Sequence, residues 1–552
     1  MIMATINDKL TYIEGTKDAI KQAIIAKGVS VSDSDTFRSY ADKIGSIETG
    51  GGTGDCSVSA CFDEVGYTFV PIYIQNGIET AAQFKAAWNP SNTSIDITGY
   101  KDSMVFFPKI DTSNVTTLSE AFKDTSILVF PNNDFPALSN NNAMTNLFSL
   151  CHALVSVDFG ELNESVESFR GNYTFNECIS LQRIYVHGKN TKFTLSEYMF
   201  NECSKLSTDK EQCNIFQHLK TDGVNASYAF REASVNSDIT ITSPKELSYT
   251  FYNVNMNGHN INIVFDNNTY SSTPSLNYTF YNTVIKGRPS INTVKVSGIA
   301  NINTNLNYFC YFSGSQNDPV ANVLDLSNLT LNYGSSVSYS TFYNLPFKTV
   351  IGLDTFTENF TTTNTPSTIF DSFLYNNQIE TMPDLNALWA KTKLGKHRKE
   401  YMDDKQFLYN LYEVNGTINL SDFDGNIGKR LYYLIYNVGK TTSDYNITIR
   451  LDSCNFSKVT SINSTYCFKN SPRVTALYIP LNFNAYTGTI DFSGLYGWTN
   501  HDSLIWSLLT HSTDRNAQSL GTQTIRLSAN SYNALTGDER SQIEAKGYTL
   551  SQ

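Results

Sequence analysis

The feature that most constrains the fold of this chain is a short aromatic motif that recurs along most of its length. The string Tyr-Thr-Phe-Tyr-Asn occurs at Tyr249–Asn253 and again at Tyr278–Asn282, a shift of 29 residues. Related strings continue in both directions, and fourteen copies cover 373 positions in thirteen intervals of 21 to 37 residues. The copies start at Glu120, Asn146, Tyr173, Tyr198, Tyr228, Tyr249, Tyr278, Tyr308, Ser340, Ser372, Tyr409, Tyr433, Tyr466 and Ser493. Such a period predicts a solenoid, in which each unit buries its apolar face against its neighbours.

A second element follows most copies of the motif. It is a short run in which apolar, often β-branched residues alternate with polar ones, which predicts a half-buried strand. The runs are RIYVHG, DITITS, NINIVF, NTVKVS, VLDLS, TVIGLD, TINLSD, ITIRLD and ALYIPL. Each unit is therefore predicted to be an aromatic turn or short helix followed by a strand of one long parallel sheet. We expect the recurrent Phe to stack inside the coil and the recurrent Asn to satisfy backbone groups of the turns.

The early units carry a family resemblance. The strings FNECISLQRIYV at Phe175–Val186 and FNECSKL at Phe200–Leu206 resemble the leucine-rich repeats of BspA-like surface proteins. The string DTSNVTTLSEAF at Asp111–Phe122 is similar to a related surface-protein repeat. The resemblance covers residues 110–520, and its Cys and Leu positions are lost after Tyr228. It implies an α/β repeat solenoid that is leucine-rich-repeat-like, with parallel strands and short helices or turns.

The two ends differ from the repeats. Apolar residues at Ile20 and Ile24, and again at Phe37 and Tyr40, predict two amphipathic helices in residues 1–48, an attachment and oligomerisation module. Residues 49–55 form a Gly-rich linker. We expect residues 56–109 to cap the solenoid, with one helix at Asn76–Trp88, and residues 521–552 to cap its other end. The solenoid itself is assigned to residues 110–520.

Composition excludes some classes of partner. Forty Lys and Arg stand against 52 Asp and Glu, a formal net charge of −12, which argues against nucleic-acid binding. No apolar stretch long enough to cross a membrane occurs, so we expect no membrane insertion. The start of the chain lacks the pattern of a secretory signal, and the nine cysteines are scattered, which favours reduced thiols.

The sequence offers no convincing catalytic, cofactor-binding or metal site, so we expect a protein that is not an enzyme and needs no cofactor. No two of the seven histidines have metal-ligand spacing: they are His152, His187, His218, His259, His397, His501 and His511. The acidic residues Asp403, Asp404, Asp422 and Asp424 are interpreted as solvated turns or a calcium loop rather than as glycosidase acids.

Two further features leave alternatives open. Cys151, Cys178 and Cys203 each follow a motif Phe by three residues, which allows an inter-coil disulfide, a soft-metal ladder or, as we favour, a column of buried thiols. The basic insertion at Trp389–Lys405 is interpreted as a solvated segment in preference to a docking site for an acidic partner.

The N-terminal segment resembles that of bacteriophage tail and fibre proteins, in which a short helical module precedes a Gly linker and a variable binding domain. This resemblance, carried by IKQAIIAKGVSVSDSDTFRSYADKI, implies a virion structural protein made in the bacterial host cytoplasm. It would contact other virion proteins through the N-terminal helices, form a homo-oligomer, with a trimer favoured, and bind a bacterial surface glycan or protein. The alternatives are a BspA-like cell-surface adhesin and a polysaccharide depolymerase.

Overall fold

The fold was analysed in a computed structural model of the whole chain. It describes residues 71–139, 142–269, 291–302, 321–333, 347–360 and 445–552, with parts of 17–40, 279–280, 379–386 and 408–439. The chain divides into two compact units, which are described separately. The first comprises Met1–Lys220 with Ala229–Asn236, and the second comprises Thr221–Tyr228 with Ser237–Gln552.

The first unit begins with helix α1 (Pro71–Ala87), as predicted for Asn76–Trp88 but starting earlier. Phe84 of this helix lies 5.7 Å, ring centre to ring centre, from Phe107, so the helix covers the start of the aromatic core. Five parallel strands follow, and they form a three-stranded sheet in the order β1–β2–β3 and a pair β4–β5. Their bounds are β1 (Val129–Phe135), β2 (Ser156–Leu162), β3 (Arg183–Val186), β4 (Phe193–Thr194) and β5 (Leu219–Lys220).

The second unit contains a larger parallel sheet. Its first strands are β6 (Ile239–Thr242), β7 (Ile261–Thr269), β8 (Ile291–Ile302), β9 (Ala321–Asp325), β10 (Leu329–Tyr333), β11 (Phe347–Ile351) and β12 (Thr357–Phe360). The long strand β8 pairs with β9 through its first half and with β10 through its second half. Gly298 lies at this corner with φ of +86°, and a Cβ there would collide with the carbonyl oxygen of Phe265. Glycine therefore lets successive coils turn the corner in contact.

The later strands of the second unit are short. They are β13 (Leu408–Tyr409), β14 (Gly416–Asn419), β15 (Arg430–Leu431), β16 (Ile435–Tyr436), β17 (Ile447–Arg450), β18 (Ser461–Ile462), β19 (Val474–Tyr478), β20 (Ile490–Asp491), β21 (Gln523–Arg526) and β22 (Tyr548–Ser551). The two three-stranded groups run β14–β17–β19 and β20–β21–β22. Helix α2 (His501–Leu504), a π-helix (Ile505–Thr510), α3 (Ala529–Asn533) and α4 (Gly537–Ala545) lie among them.

All strand pairs of the described residues are parallel, and together they make a parallel β-solenoid of about 11 turns. Each of the nine predicted alternating runs contains part of a strand, so that prediction is confirmed. Helices are few, because most of the described aromatic motifs form consecutive turns, and part of the copy that starts at Tyr433 lies in strand β16.

The backbone of the aromatic turns bonds directly from coil to coil. In the first unit every second amide donates to the following coil: those of Tyr173 and Phe175 reach the carbonyl oxygens of Glu197 and Met199, at 2.9 and 3.0 Å. The next amide, that of Asn176, donates back to the carbonyl of Tyr173 within its own turn. Each aromatic turn is thereby held in register with its neighbours without adopting strand conformation.

The motif Phe residues form a continuous stack in the first unit, as predicted. Phe122, Phe148, Phe175, Phe200 and Phe230 follow one another with ring-centre separations of 5.4 to 5.8 Å and interplanar angles of at most 16°. All five side chains are fully buried. The stacked Phe rings therefore form the core of this part of the unit, and successive turns pack around them.

We expect Phe175→Ala to lower the free energy of unfolding by about 3–5 kcal/mol, because it removes one ring from the stack and leaves a cavity. The matched control is Ile179→Ala, since that side chain is 43% exposed four residues away, and it should change stability by no more than about 0.5 kcal/mol. Urea denaturation followed by circular dichroism measures both. Equal losses for the two variants would contradict a stacked core.

The aromatic turns also place non-glycine residues in the left-handed backbone region. In the copies from Glu120 to Tyr249 the first and fifth motif positions have positive φ, as at Tyr173 and Glu177 (61° and 59°) and at Tyr198 and Glu202 (54° and 62°). In the second unit the fifth position of a later copy, Asn470, has φ of 51°. Because this conformation is costly for most residues but tolerated by Asn, the preference for Asn at the fifth position follows from the backbone.

At Asn470 this argument can be tested with two substitutions. Asn470→Val should destabilise the protein by about 1–2 kcal/mol, because a β-branched residue is strained at positive φ. Asn470→Gly should be neutral within about 0.5 kcal/mol, since glycine accepts that conformation. Chemical denaturation of the full chain gives both values, and a valine variant as stable as the glycine variant would sink the idea.

Near the N-terminus the described residues form a small apolar cluster. Ile20, Ile24 and Tyr40 are buried together, and Val31 packs against them. Ile20 and Ile24 are in helical backbone. Ile20, Ile24 and Tyr40 were among the residues predicted for the helical faces. Phe37 and most of the remaining predicted helical residues lie outside the described residues, so the complete helical module stays a prediction.

Candidate functional site

Tyrosine side chains form short columns on the aromatic turns. In the first unit the rings of Tyr173 and Tyr198 stack 4.7 Å apart at 9°, and in the second unit those of Tyr228 and Tyr249 stack 4.9 Å apart at 10°. All four are half-buried, so each ring has a supported side and an accessible part. Stacked, partly accessible aromatic rings suit the recognition of partners that offer apolar surface.

Beside the first tyrosine column, side chains at the fourth motif position form a hydrogen-bonded row. The Asn176 amide donates to the hydroxyl of Ser149 at 3.4 Å, and the Asn201 amide donates to the Asn176 carbonyl oxygen at 2.9 Å. Arg231 ends the row by donating to Asn201. For these positions the prediction that motif Asn residues satisfy turn backbone groups is wrong, because the amides bond to side chains while the coil-to-coil backbone bonds satisfy the turns.

Acidic residues flank this row. Arg231 bridges the carboxylates of Glu202 and Glu232 at 3.1 and 2.9 Å. These pairs are about one-third exposed, so they contribute little to stability individually. The arrangement presents a half-buried aromatic surface with an acidic border.

The three motif cysteines form a column of buried thiols, which was the favoured prediction. The thiol of Cys178 donates to the carbonyl oxygen of Phe148 at 3.1 Å, and that of Cys203 to Phe175 at the same distance. Cys151 makes the equivalent bond to Phe122. The cysteines are free, so the predicted alternative of an inter-coil disulfide is excluded. Burial raises the pKa of all three thiols, most strongly where it is complete, at Cys178 and Cys203.

The described cysteines should therefore be unreactive in the folded protein. They are Cys151, Cys178, Cys203, Cys213, Cys454 and Cys467, all buried. A variant in which Cys56, Cys61 and Cys310 are replaced by Ser removes the remaining thiols. We expect it to give no reaction with a thiol-specific chromogenic reagent at neutral pH, because burial suppresses the thiolate.

The same variant in concentrated guanidinium chloride is the control and should release six reactive thiols per chain without added reductant. Rapid labelling before unfolding would contradict the buried column. Fewer than six thiols after unfolding would point to disulfides.

Most of the described histidines lie against one carboxylate or carbonyl group, and His187 also contacts the side-chain amide of Asn132. His187 is 2.7 Å from the Asp158 carboxylate, His259 is 3.2 Å from that of Asp238, and His501 is 2.9 Å from that of Glu539. His152 lies 3.8 Å from Glu177, and His218 contacts the carbonyl of Thr191. Among the described residues, no group of three or more potential ligands could hold a metal ion.

The outer faces of the sheets carry two polar groupings. On β2, burial raises the pKa of Asp158 even though His187 lies against it. In the second unit amide side chains bond from coil to coil, from Asn292 to Asn260 at 3.0 Å and from Asn322 to Asn292 at 3.3 Å. These amide rows join one coil to the next, so a structural role accounts for them.

Several other predicted features fall outside the described residues: Asp403, Asp404, Asp422, Asp424, His397 and the insertion Trp389–Lys405.

One cluster in the second unit was missed by sequence reasoning. Arg450, Tyr478, Trp506 and His511 come from successive coils and touch in that order. Trp506 and His511 are five residues apart, a spacing that matches neither helical nor strand periodicity. The sequence shows that these neighbouring coils contain aromatic residues. It does not show which of those side chains face outward, so the cluster could not be predicted.

No protein-family model, curated protein or solved structure matches this chain. None of the described helices is both long and apolar enough to cross a membrane.

Proposed function

We propose that this chain is a structural protein of a bacteriophage virion, a fibre or appendage of the tail or head that recognises the bacterial surface. The parallel β-solenoid fold supports this proposal because its repeats present equivalent positions in rows. The proposal includes a leucine-rich-repeat-like identity for the repeats, which the early motif strings support. It assigns no catalytic role to the chain.

The observation that carries the proposal is the alignment of half-buried tyrosines in columns. The Tyr173–Tyr198 and Tyr228–Tyr249 pairs are each held within 5 Å by turns that bond directly to the neighbouring coil. Because these rings are fixed before any partner arrives, little side-chain entropy would be lost on binding. A row of pre-organised aromatic rings is suited to an extended partner such as a surface glycan or protein.

Attachment to the particle is assigned to the helical module of residues 1–48. The buried cluster of Ile20, Ile24 and Tyr40 supports a packed module at this end. A helical hairpin of this size hardly forms a stable core alone, so it should pack against copies of itself or against another virion protein. We therefore propose a homo-oligomer, with a trimer favoured.

Localisation tests the proposed function. Antibodies to residues 56–552, detected with gold in a lysed culture of the source, should label phage particles at a fixed position on head or tail. Deleting residues 1–48 should abolish incorporation into particles while leaving the circular dichroism spectrum of the solenoid unchanged, because the two parts are separate modules. Label on bacterial envelopes with bare particles would favour an adhesin instead.

A further inference from the structure

The chain contains three Asn-Gly dipeptides, and the structure holds them in three different backbone settings. They are Asn76–Gly77, Asn257–Gly258 and Asn415–Gly416. Such a dipeptide can lose ammonia without an enzyme, because the peptide nitrogen of the glycine can attack the side-chain carbonyl carbon of the asparagine. Glycine has no side chain that would hinder this approach. In the folded protein, reaction then depends on whether the peptide that joins the two residues is able to rotate.

Asn257 and Gly258 are the two central residues of an exposed tight turn in the second unit. The amide of His259 closes this turn by donating to the carbonyl oxygen of Met256 at 2.8 Å. The backbone angle φ is 48° at Asn257 and 82° at Gly258, and positive values at both central positions identify a type I′ turn. A Cβ added at Gly258 would meet nothing within 4 Å, so this side of the turn faces open space.

The central peptide of this turn can rotate while the flanking chain stays in place. Type I′ and type II′ turns share a positive φ at the first central residue and differ in the orientation of the peptide that follows it, so φ of the second residue changes sign between them. Asn257 therefore keeps its φ in either form, and Gly258 accepts both signs because it lacks a side chain. The hydrogen bond from His259 to Met256 persists, since it uses neither polar group of the rotating peptide.

In the type II′ form the nitrogen of Gly258 lies beside the side chain of Asn257. That form has ψ of about −120° at its first central residue, which places the following nitrogen and Cβ on the same side of the Cα–C bond, as a five-membered ring requires. The side-chain amide of Asn255 donates to Oδ1 of Asn257 at 3.1 Å. This contact draws electron density from the carbonyl carbon that the nitrogen attacks.

Backbone hydrogen bonds hold the other two dipeptides. Gly77 lies within helix α1 beyond its first turn, where each amide is bonded to the carbonyl four residues back. The amide of Gly416, the first residue of β14, donates to the carbonyl of Asn446 on the neighbouring coil at 3.2 Å. Asn415 is exposed, as Asn257 is, so exposure does not separate the two sites. The bonded or unbonded state of the peptide that must rotate separates them.

We propose that Asn257 is a site of spontaneous deamidation in the folded protein, with the amide nitrogen of Gly258 as the nucleophile and water as the co-reactant. A bond forms between that nitrogen and Cγ of Asn257, the bond from Cγ to Nδ2 breaks, and ammonia leaves with the proton of the attacking amide. Water then opens the succinimide ring at one of its two carbonyl carbons, which gives aspartate or isoaspartate. No oxidant or reductant takes part, and the inference goes beyond the proposed function.

Both products change the chain at the entry to strand β7. Each replaces a neutral amide by a carboxylate two residues before His259, whose imidazole lies 3.2 Å from the Asp238 carboxylate. Isoaspartate also lengthens the backbone of the turn by one carbon. The amide of Asn292 on the next coil donates to the carbonyl of His259 at 3.0 Å, so a longer turn disturbs a contact between coils.

The test is incubation of the full-length protein at mildly alkaline pH, with samples taken over time for peptide mapping by mass spectrometry. In the folded protein Asn257 should deamidate at least about tenfold faster than Asn76 and Asn415, because their peptides must break a backbone hydrogen bond before they rotate. The same chain in concentrated guanidinium chloride is the control. There the three rates should converge, since all three dipeptides have the same sequence and none is held by the fold.

Two matched variants assign the product to one turn. Asn257→Gly keeps the positive φ of the turn and removes the reacting side chain, so it should lose most of the isoaspartate that isoaspartyl methyltransferase labels in the folded protein. Asn415→Gly should keep that label. The inference is overturned if Asn257 reacts as slowly as Asn415 in the folded chain, or if Asn257→Gly retains the label. It is also overturned if Asn257 keeps the same lead after unfolding, since the turn would then play no part.

Discussion

The coil-to-coil hydrogen bonding of the aromatic turns is the constraint on which the rest of the fold depends. A parallel sheet alone fixes one side of each coil, whereas here the opposite side is fixed as well, by alternate amides such as those of Tyr173 and Phe175. The Phe stack lies between these two bonded sides. Both sides of the coil repeat at the spacing of hydrogen-bonded chains. The backbone alone therefore brings the Phe rings of neighbouring coils within stacking distance.

Polar groups inside the coil are satisfied by the same repetition. The Phe148 carbonyl accepts from the Cys151 amide of its own turn and from the Cys178 thiol of the next coil. Since a carbonyl has two lone pairs, one repeat unit completes the hydrogen bonding of the one before it. This explains why a small, weakly polar thiol recurs at a position surrounded by phenyl rings.

The sequence predicts the periodic part of the structure and misses the irregular part. The alternation in runs such as RIYVHG is a local pattern, so strand β3 could be found directly, and the spacing of Phe175 and Phe200 predicts their stacking. The left-handed backbone at Tyr173 and Tyr198 could not be predicted, because tyrosine has no preference for it. There the bonds from the next coil decide the conformation, and those bonds exist only once the coils are stacked.

The π-helix (Ile505–Thr510) has a consequence for the edge of strand β19. Strand β19 has β17 on one side, and on the other side Ser507 occupies backbone groups at Leu477 and Ile479 that a further strand would otherwise use. An open strand edge is a template for adding a strand from another molecule, which is how β-proteins aggregate. The amides of Thr499 and Asn500, which both donate to the carbonyl of Thr475, cover the start of the same edge. A non-strand segment therefore occupies this edge in place of a further strand. The change from strand to π-helix therefore leaves no run of unpaired backbone groups from Thr475 to Ile479 on which a strand of another molecule could add.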